Sequence, residues 1–370
     1  MQKNELARTS KRSGQKVELT REFFEKLPKY DLHVHLDGSL RLETVWDIAK
    51  RDKIDLGVNS IEELREAISP GKIHKSLNDY LKGFELTLKV LQTEENLYRA
   101  AYELAEDCAK ENILYFEVRY SPILHVQKGV SLPAILEAVI EGLKAGQRDF
   151  GVKSGVIVCG IRNISPDISL RMAELAVAFK NRGVVGFDLA GAEYNYPARD
   201  HLEAFSLILS NNVNVTIHAG EAYGPDSIHQ ALHYCGAHRI GHGVRLREDG
   251  DLLNYVNDHR IPLEMCLQSN IQTGAVKNIA EHPFKFYLDL GLRVTLNTDN
   301  RLITNTSMTD EMWLAYKTFS LSPQDILDLT MNSAKASFIP FEEKKYQVRD
   351  LKRKVIGLFK SDTGVDLKLF

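Results

Sequence analysis

Eight short apolar segments that alternate with longer helical patterns constrain the fold of this chain more than any other feature. Several are continuous apolar runs, which are typical of parallel strands buried on both faces. The predicted strands are Tyr30–Leu36, Leu114–Tyr120, Gly155–Gly160, Val184–Leu189, Val213–His218, Arg239–Val244, Leu263–Leu267 and Arg293–Asn297. Eight alternations in one unit predict an α/β fold, a (β/α)8 barrel of the TIM type. The doubly wound alternative lacks a glycine-rich fingerprint after its first strand.

Helical patterns fill the intervals between these strands, and some of them exceed what a minimal barrel needs. Helices are predicted over Leu132–Asp149, Ser169–Arg182, His201–Asn211 and Asp226–Gly236. Two further regions, Arg41–Ile68 and Asn78–Lys110, predict extra helices inserted after the first strand, the former ending at a Ser69-Pro70-Gly71 break and the latter forming two helices. More helices follow at the C-terminus. We divide the chain into a disordered basic tail (1–16), one barrel domain (17–345) and an extension that the sequence does not place (346–370).

Charge and cysteine content narrow the class of protein. The formal net charge of −3 gives no overall field that favours nucleic acid or an anionic membrane. No apolar run approaches the ~20 residues that a bilayer span needs. The basic N-terminal segment lacks the apolar stretch of a secretory signal, although a transit peptide is an alternative. The four cysteines are widely spaced and predict reduced thiols in the cytoplasm. The oligomeric state is left open.

Four segments rich in metal-ligating residue types fall at the carboxyl ends of predicted strands, which converge on one face of a barrel. They are His33-Val34-His35, His218-Ala219-Gly220-Glu221, Gly241-His242-Gly243 and Asn297-Thr298-Asp299-Asn300. Two histidines at i and i+2 on a strand point to the same face, and neutral imidazole is a common metal ligand. His33 and His35 therefore form half of a metal site. His218 extends it, and Asp299 completes a shell of three imidazoles and one carboxylate for a Zn²⁺-like ion.

Neighbouring residues suggest chemistry for such a site. Glu221 follows His218 by three residues, an offset that suits a general acid or base whose pKa is raised by burial. His242 lies between two glycines, where it can orient a water and take its proton. Asp37 can bind a substrate hydroxyl or an imidazole N–H. Gly191 lies at the end of the fourth strand, where its backbone N–H can face a ligand.

Each of these residues also has a structural interpretation that the motifs alone leave open. The alternatives are a buried core histidine for His218, a helix first-turn residue for Glu221, a structural histidine in a tight turn for His242, a helix N-cap or turn residue for Asp37, a strand-end cap for Asp299 and an ordinary βα turn for Gly191. The remaining histidines, including His125 and His282, are expected to lie outside the metal site.

Further agreement with a known family comes from Tyr30-Asp31-Leu32 before the first histidines, Phe116–Pro122 and Asp188–Gly191. With the four segments above, these motifs resemble the adenosine deaminases of the metal-dependent amidohydrolase superfamily, in the expected order from about Leu27 to Ile339. The resemblance implies one Zn²⁺ per chain, held by His33, His35, His218 and Asp299. It also implies that Glu221 protonates purine N1, that His242 activates or orients the water, that Asp37 contacts the ribose 5′-hydroxyl and that the Gly191 N–H contacts the purine.

The sequence departs from this family at Asn300, where a second aspartate often contacts purine N7. An asparagine amide donates to N7 without being protonated, so purine binding is retained, while the preferred purine is left open. The resemblance implies hydrolysis of adenosine and 2′-deoxyadenosine to inosine, 2′-deoxyinosine and ammonia, through a zinc-activated hydroxide that attacks C6.

Three other functions are alternatives to adenosine deamination. The first is deamination of free adenine or of a modified adenosine, against which Asp37 argues because a free base has no ribose hydroxyl. The second is a two-metal hydrolase, which needs a bridging lysine that Val184–Gly191 does not contain. The third is a nucleoside-binding protein without activity, which an intact set of ligands, acid and base disfavours.

Overall fold

Eight parallel strands in the described part of the chain form one sheet in the order β1 to β8, each paired with its sequence neighbour. The computed structural model describes residues 18–68 and 76–367. The strands are β1 (Lys29–His35), β2 (Ile113–Tyr120), β3 (Lys153–Ile161), β4 (Val184–Ala190), β5 (Asn214–Ala219), β6 (Arg239–His242), β7 (Leu263–Met265) and β8 (Val294–Leu296). The predicted (β/α)8 barrel and its eight strands are confirmed. The predicted tail (1–16) and the Ser69-Pro70-Gly71 break lie outside the described residues.

The first and last strands meet through the backbone of a residue just beyond β8. Val34 and Asp299 form a parallel bridge. The Asp299 N–H donates to the His33 carbonyl at 2.8 Å, and the His35 N–H donates to the Asp299 carbonyl at 2.7 Å. The barrel is therefore joined at its carboxyl rim by the same residues that the sequence predicts as metal ligands.

Helices lie between successive strands and beyond both ends of the sheet. They are α1 (Arg21–Lys26), α2 (Leu42–Arg51), α3 (Ile61–Ile68), α4 (Leu77–Leu81), α5 (Phe84–Val90), α6 (Glu94–Lys110), α7 (Leu132–Phe150), α8 (Pro166–Phe179), α9 (Leu202–Ser210), α10 (Pro225–His233), α11 (Gly250–Asp258), α12 (Leu267–Gln272), α13 (Phe284–Asp289), α14 (Met308–Phe319), α15 (Pro323–Ala336) and α16 (Phe341–Thr363). The four helices predicted between β2 and β6 are confirmed as α7 to α10. None of the described helices has the length and apolarity needed to cross a membrane.

The inserted helices after β1 are more broken than the sequence predicts. The helical region Arg41–Ile68 divides into α2 and α3, because Lys53 and Gly57 adopt left-handed backbone angles of +56° and +74° between them. The region Asn78–Lys110 forms three helices, so the prediction of two is wrong. Its last helix, α6, begins where the Thr93 hydroxyl accepts the Asn96 N–H at 3.3 Å, which is an N-cap that the periodicity did not reveal.

Five charged side chains occupy the interior of the barrel beneath its carboxyl rim, and each is at most 1% exposed. Arg119 donates to Asp188 at 3.0 Å and to Glu264 at 2.9 Å. Arg239 donates to Glu117 at 2.6 Å and to Glu264 at 2.5 Å. Each buried charge therefore has an oppositely charged hydrogen-bonded partner, which offsets the cost of desolvating it.

The C-terminal helix α16 packs on the barrel and crosses the boundary that the sequence suggests at residue 345. Its buried residues Leu351, Val355 and Phe359 recur every four positions and form one apolar face. The Phe359 ring lies 4.7 Å from the ring of Phe23 in α1, so the two ends of the described chain contact each other.

We expect Phe359→Ala to lower the free energy of unfolding by about 3–5 kcal/mol, because it removes a fully buried ring from this contact. The matched control is Phe341→Ala in the same helix, where the ring is 75% exposed and the change should stay within about 0.5 kcal/mol. Urea unfolding of both variants measures the difference. Equal destabilisation would contradict the packing of α16 described here.

Candidate metal centre

Three imidazoles and one carboxylate from the predicted segments converge at the carboxyl rim. The ring centroids of His33 and His218 lie 4.5 Å apart, and those of His35 and His218 lie 5.2 Å apart. His35 Nε2 lies 3.2 Å from His218 Nε2 and 3.4 Å from Asp299 Oδ1, while His33 Nε2 lies 3.5 Å from the same oxygen. Ligands bound tetrahedrally to one ion at 2.0–2.2 Å lie about 3.3 Å apart, so these separations fit a shared metal ion.

Hydrogen bonds at the outer ring nitrogens leave the inner nitrogens free to bind a cation. His33 Nδ1 donates to Glu264 Oε2 at 2.9 Å, and His218 Nδ1 donates to Asp188 Oδ2 at 3.0 Å. In the neutral rings the Nε2 atoms therefore carry lone pairs. Within the described part of the chain, the buried His33 Nε2 has no hydrogen-bond partner. Burial lowers the pKa of His33 to about 4, which keeps its ring in the neutral, metal-binding form.

The Asp299 carboxylate is oriented by its backbone conformation and by one hydroxyl. Asp299 adopts a left-handed backbone angle of +61°, an uncommon conformation for a residue other than glycine. The Ser269 hydroxyl donates to Asp299 Oδ2 at 2.6 Å, which leaves Oδ1 to face the histidines. With their outer nitrogens bonded to Glu264 and Asp188, the neutral rings of His33 and His218 turn lone pairs toward the Asp299 carboxylate, and this set of atoms can bind a metal ion.

His242 also lies close to this centre. In a second group of four residues, His242 replaces His35, and one ligand atom from each member lies within 4.8 Å of the others. The His242 Nε2 lies 3.6 Å from Glu221 Oε2, however, and so faces the neighbouring carboxyl group. The shorter separations at His35 favour that residue as a ligand and leave His242 beside the ion.

A chain of hydrogen bonds anchored on the backbone fixes the proton of His242. The Phe284 N–H donates to His282 Nδ1 at 3.1 Å, so the neutral His282 ring carries its proton on Nε2. That proton is donated to Asn270 Oδ1 at 3.2 Å, and Asn270 Nδ2 donates to His242 Nδ1 at 3.0 Å. The neutral His242 ring therefore carries its proton on Nε2, which points into the site. The ring is placed to donate a hydrogen bond there rather than to take a proton.

Glu221 is buried at the edge of the same centre. Its side chain is 4% exposed, and its Oε1 accepts a hydrogen bond from the Thr273 hydroxyl at 3.0 Å. Burial raises the pKa of Glu221 above its ordinary value, which favours the protonated form. Glu221 also lines a cavity of about 390 Å³, to which Leu77 and Asn78 of the inserted helix α4 contribute one wall. Part of the insertion after β1 therefore lies beside the carboxyl rim at this wall.

The predicted substrate contacts lie on the loops that follow β1, β4 and β8. Asp37 and Asn300 are buried, and each has an Oδ1 atom without a hydrogen-bond partner among the described residues. Burial raises the pKa of Asp37 to about 7. A Cβ on Gly38 would lie 1.9 Å from Asn300 Oδ1, so these two loops touch only because residue 38 is glycine. Gly191 has a φ of +91°, which turns the chain sharply at the end of β4. Of the site residues predicted from the sequence, Glu221 alone is found among the described residues that line the cavity.

Several residues that organise the centre were missed by the sequence analysis. Asp188 and Glu264 each interrupt an otherwise apolar strand, and such an interruption is the local signal of an inward-facing charge in a barrel. His282 contacts Asn270 and the Phe284 N–H, and the sequence gives no sign of this link to His242. The signal for Asn270 and Thr273 is absent from the local sequence, because their contacts depend on how the loop after β7 folds.

Comparisons with known proteins agree with this geometry. A family model described as "Adenosine deaminase" matches residues 28–354. A relative from Mycobacterium ulcerans, named adenosine deaminase, is 44% identical over 343 residues, covering 88% of this chain and 94% of that protein. An adenine deaminase structure from Arthrobacter aurescens aligns with a TM-score of 0.84 at 27% identity, over 90% of this chain and 100% of that one. An Arabidopsis N6-mAMP deaminase structure gives a TM-score of 0.79 at 29% identity, over 90% and 99% of the two chains.

We expect nitrogen-15 NMR of histidine-labelled protein near pH 7 to show the His242 proton on Nε2. His125 is an internal control of opposite type, because its Nδ1 contacts the Leu91 carbonyl at 2.8 Å and must donate. Asn270→Leu removes the donor to His242 Nδ1 and should give a mixture of the two tautomers at His242 while leaving His125 unchanged. A wild-type His242 signal with the proton on Nδ1 would contradict the hydrogen-bond chain.

Proposed function

This chain belongs to the adenosine deaminase family, and we propose that it hydrolyses adenosine and 2′-deoxyadenosine to inosine, 2′-deoxyinosine and ammonia. The observation that carries the proposal is the convergence of three histidines and Asp299 beside a buried glutamic acid. A metal site alone is common to many hydrolases. A protonated carboxyl group next to it is what a purine requires, because C6 accepts a nucleophile only once the ring nitrogen N1 is protonated.

We propose that the resident ion is Zn²⁺, one per chain, held by His33, His35, His218 and Asp299. This assignment is supported by the separations of their inner atoms and by the free lone pairs of His33 and His218. Imidazole and carboxylate ligands also suit Fe²⁺, Co²⁺ and Mn²⁺. When bound, such an ion supplies a water whose pKa is near 7 at the rim.

The side chains around the ion divide the proton chemistry between them. The carboxyl group of Glu221 donates its proton to purine N1, which makes C6 electrophilic. His242 donates a hydrogen bond from Nε2 to the attacking water and so directs a lone pair of its oxygen at C6. The Thr273 hydroxyl holds the Glu221 carboxyl group in place while the proton moves. The attacking water gives one proton to the Glu221 carboxylate and the other to the 6-amino group. C6 therefore keeps the oxygen as a carbonyl, N1 keeps the proton it received, and ammonia leaves.

Substrate contacts follow from the loops that surround these groups. We propose that Asp37 binds the ribose 5′-hydroxyl, that the Gly191 N–H binds the purine and that Asn300 binds purine N7. The unpartnered Oδ1 of Asp37 supports the first contact, because it is a buried acceptor to which a ligand hydroxyl can donate. At Asn300 the group that can donate to N7 is the amide nitrogen. The described chain has four free, buried cysteines, which support a reducing cytoplasmic location.

The alternative is a deaminase of free adenine or of a modified adenosine. The structural relatives named above, an adenine deaminase and an N6-mAMP deaminase, make this alternative specific. Asp37 favours adenosine over the substrates of these two relatives. Adenine carries no 5′-hydroxyl to bind, and the negative charges of a 5′-phosphate are repelled by a carboxylate. A nucleoside is the substrate that this residue suits best.

We expect ammonia release from adenosine and 2′-deoxyadenosine, little or none from adenine, and none from any of them after the metal is removed with a chelator. Addition of Zn²⁺ should restore activity, because the ligands are preformed at the rim. A coupled ammonia assay on the purified protein measures each of these reactions, and the change in purine absorbance follows N6-methyl-AMP, which would release methylamine instead of ammonia. Faster turnover of adenine or of N6-methyl-AMP than of adenosine would reject the proposed substrate and favour the alternative.

Two variants should separate the metal from the acid. Glu221→Gln cannot deliver a proton, so we expect it to keep its metal and to lose about 10²–10⁴-fold in kcat. His218→Ala removes a ligand, and we expect it to lose the metal itself. His229→Ala, which removes an exposed histidine of α10, is the control and should retain both. Elemental analysis and kinetics on the three proteins test this; a Glu221→Gln variant with near wild-type turnover would show that its assigned role is wrong.

A further inference from the structure

The turn that carries Glu221 has no secondary structure of its own. β5 ends at Ala219 and α10 begins at Pro225, so the N–H groups from Gly220 to Tyr223 have neither a strand partner nor a helix partner. Buried backbone N–H groups are almost always hydrogen-bonded, and the acceptors for this segment must therefore come from elsewhere in the fold.

All four of these N–H groups donate to one side chain, that of Glu193. Its Oε1 accepts from Gly220 at 2.6 Å. Its Oε2 accepts from Glu221 at 3.0 Å, from Ala222 at 2.5 Å and from Tyr223 at 3.0 Å. Successive N–H groups in a turn form a concave anion site, and here the anion is a carboxylate of the same chain. An ionised carboxylate offers about two acceptor positions on each oxygen, so Oε2 is shared by three N–H groups and Oε1 binds one.

Glu193 lies in the loop after β4, two residues beyond Gly191. Its side chain is 4% exposed, and it lines the same cavity as Glu221. The guanidinium groups of Arg162 and Arg245 interact with its charge. The loop after β4 therefore supplies the proposed purine contact at Gly191, and through Glu193 it also binds the turn that carries Glu221.

We propose that Glu193 is a positioning residue, whose carboxylate holds the Gly220–Tyr223 turn so that the Glu221 carboxyl group is aimed at purine N1. The proposal rests on the proposed function, because it assigns the effect of Glu193 to proton delivery by Glu221. Thr273 holds the end of the Glu221 side chain, and Glu193 holds its backbone. A small movement of the turn displaces the proton donor without removing it.

The test is Glu193→Gln in the full-length, metal-loaded protein. The amide nitrogen cannot accept a hydrogen bond, so at least one N–H of the turn loses its acceptor whichever way the amide lies. We expect kcat on adenosine to fall about 10–100-fold while KM stays within about threefold, because the acid is misplaced and substrate binding is retained. The matched control is Glu203→Gln, the same change at an exposed position in α9, which should leave kcat within about twofold of wild type.

A double variant distinguishes positioning from general loosening of the fold. In the Glu221→Gln background, Glu193→Gln should cost no further turnover, since no proton donor is left to aim. Hydrogen exchange should show faster exchange of the Gly220–Tyr223 amides in Glu193→Gln and unchanged exchange in Glu203→Gln. An equal further loss in both backgrounds, or a rise in KM with kcat unchanged, would overturn the proposal.

Glu193→Asp keeps the charge and shortens the side chain by one methylene, so it covers the case in which the glutamine variant does not fold. We expect an intermediate kcat, with the melting temperature and metal content close to wild type. A wild-type kcat in this variant, with wild-type amide exchange in the turn, contradicts the proposal. If the wild-type protein itself releases no ammonia from adenosine, the proposed function fails; if it does and the Glu193 variants match it, only the positioning role fails.

Discussion

The backbone contact between β1 and the residue after β8 is the constraint on which the rest of this structure depends. Asp299 donates to the His33 carbonyl and accepts from the His35 N–H, and these two bonds join residues that lie more than 260 positions apart. The same contact sets the position of the Asp299 side chain relative to both imidazoles. The contact that joins the first and last strands therefore also assembles the candidate metal site. A sheet that failed to close here would leave Asp299 away from both histidines.

The ionic interior beneath the rim explains why the imidazoles point as they do. Arg119 bridges Asp188 and Glu264, and each of these carboxylates accepts the outer proton of one ligand histidine. The guanidinium keeps both carboxylates ionised, and it holds the pKa of Glu264 well below its usual range against the opposing effect of burial. Protons on the outer nitrogens leave lone pairs on the inner ones. The charges of the barrel core therefore also determine which histidine atoms face the candidate metal site.

The sequence predicts the barrel and its rim because both follow from local patterns. Apolar runs locate the strands, and the carboxyl ends of parallel strands share one face, so His33 and Asp299 are brought together by topology alone. Contacts between loops are not local. No pattern near His242 indicates that Asn270 and His282 fix its proton, and none near Glu221 indicates a carboxylate in the previous loop. The division of Arg41–Ile68 into α2 and α3 is hidden for a similar reason, because the left-handed conformation of Lys53 leaves no signal in the spacing of apolar residues.

The replacement at position 300 illustrates how a substrate contact depends on a neighbouring loop. Asn300 fits against Gly38 so closely that a Cβ there would overlap its Oδ1 atom, and that atom finds no donor among the described residues. An aspartate at this position would be buried in the same place, and burial would raise its pKa until it bound a proton. The asparagine presents an amide donor at any pH without that step. If Asn300 binds purine N7 as proposed, that contact is independent of the protonation of Glu221, and Glu221 is then the one proposed group whose proton must be in place before the reaction starts.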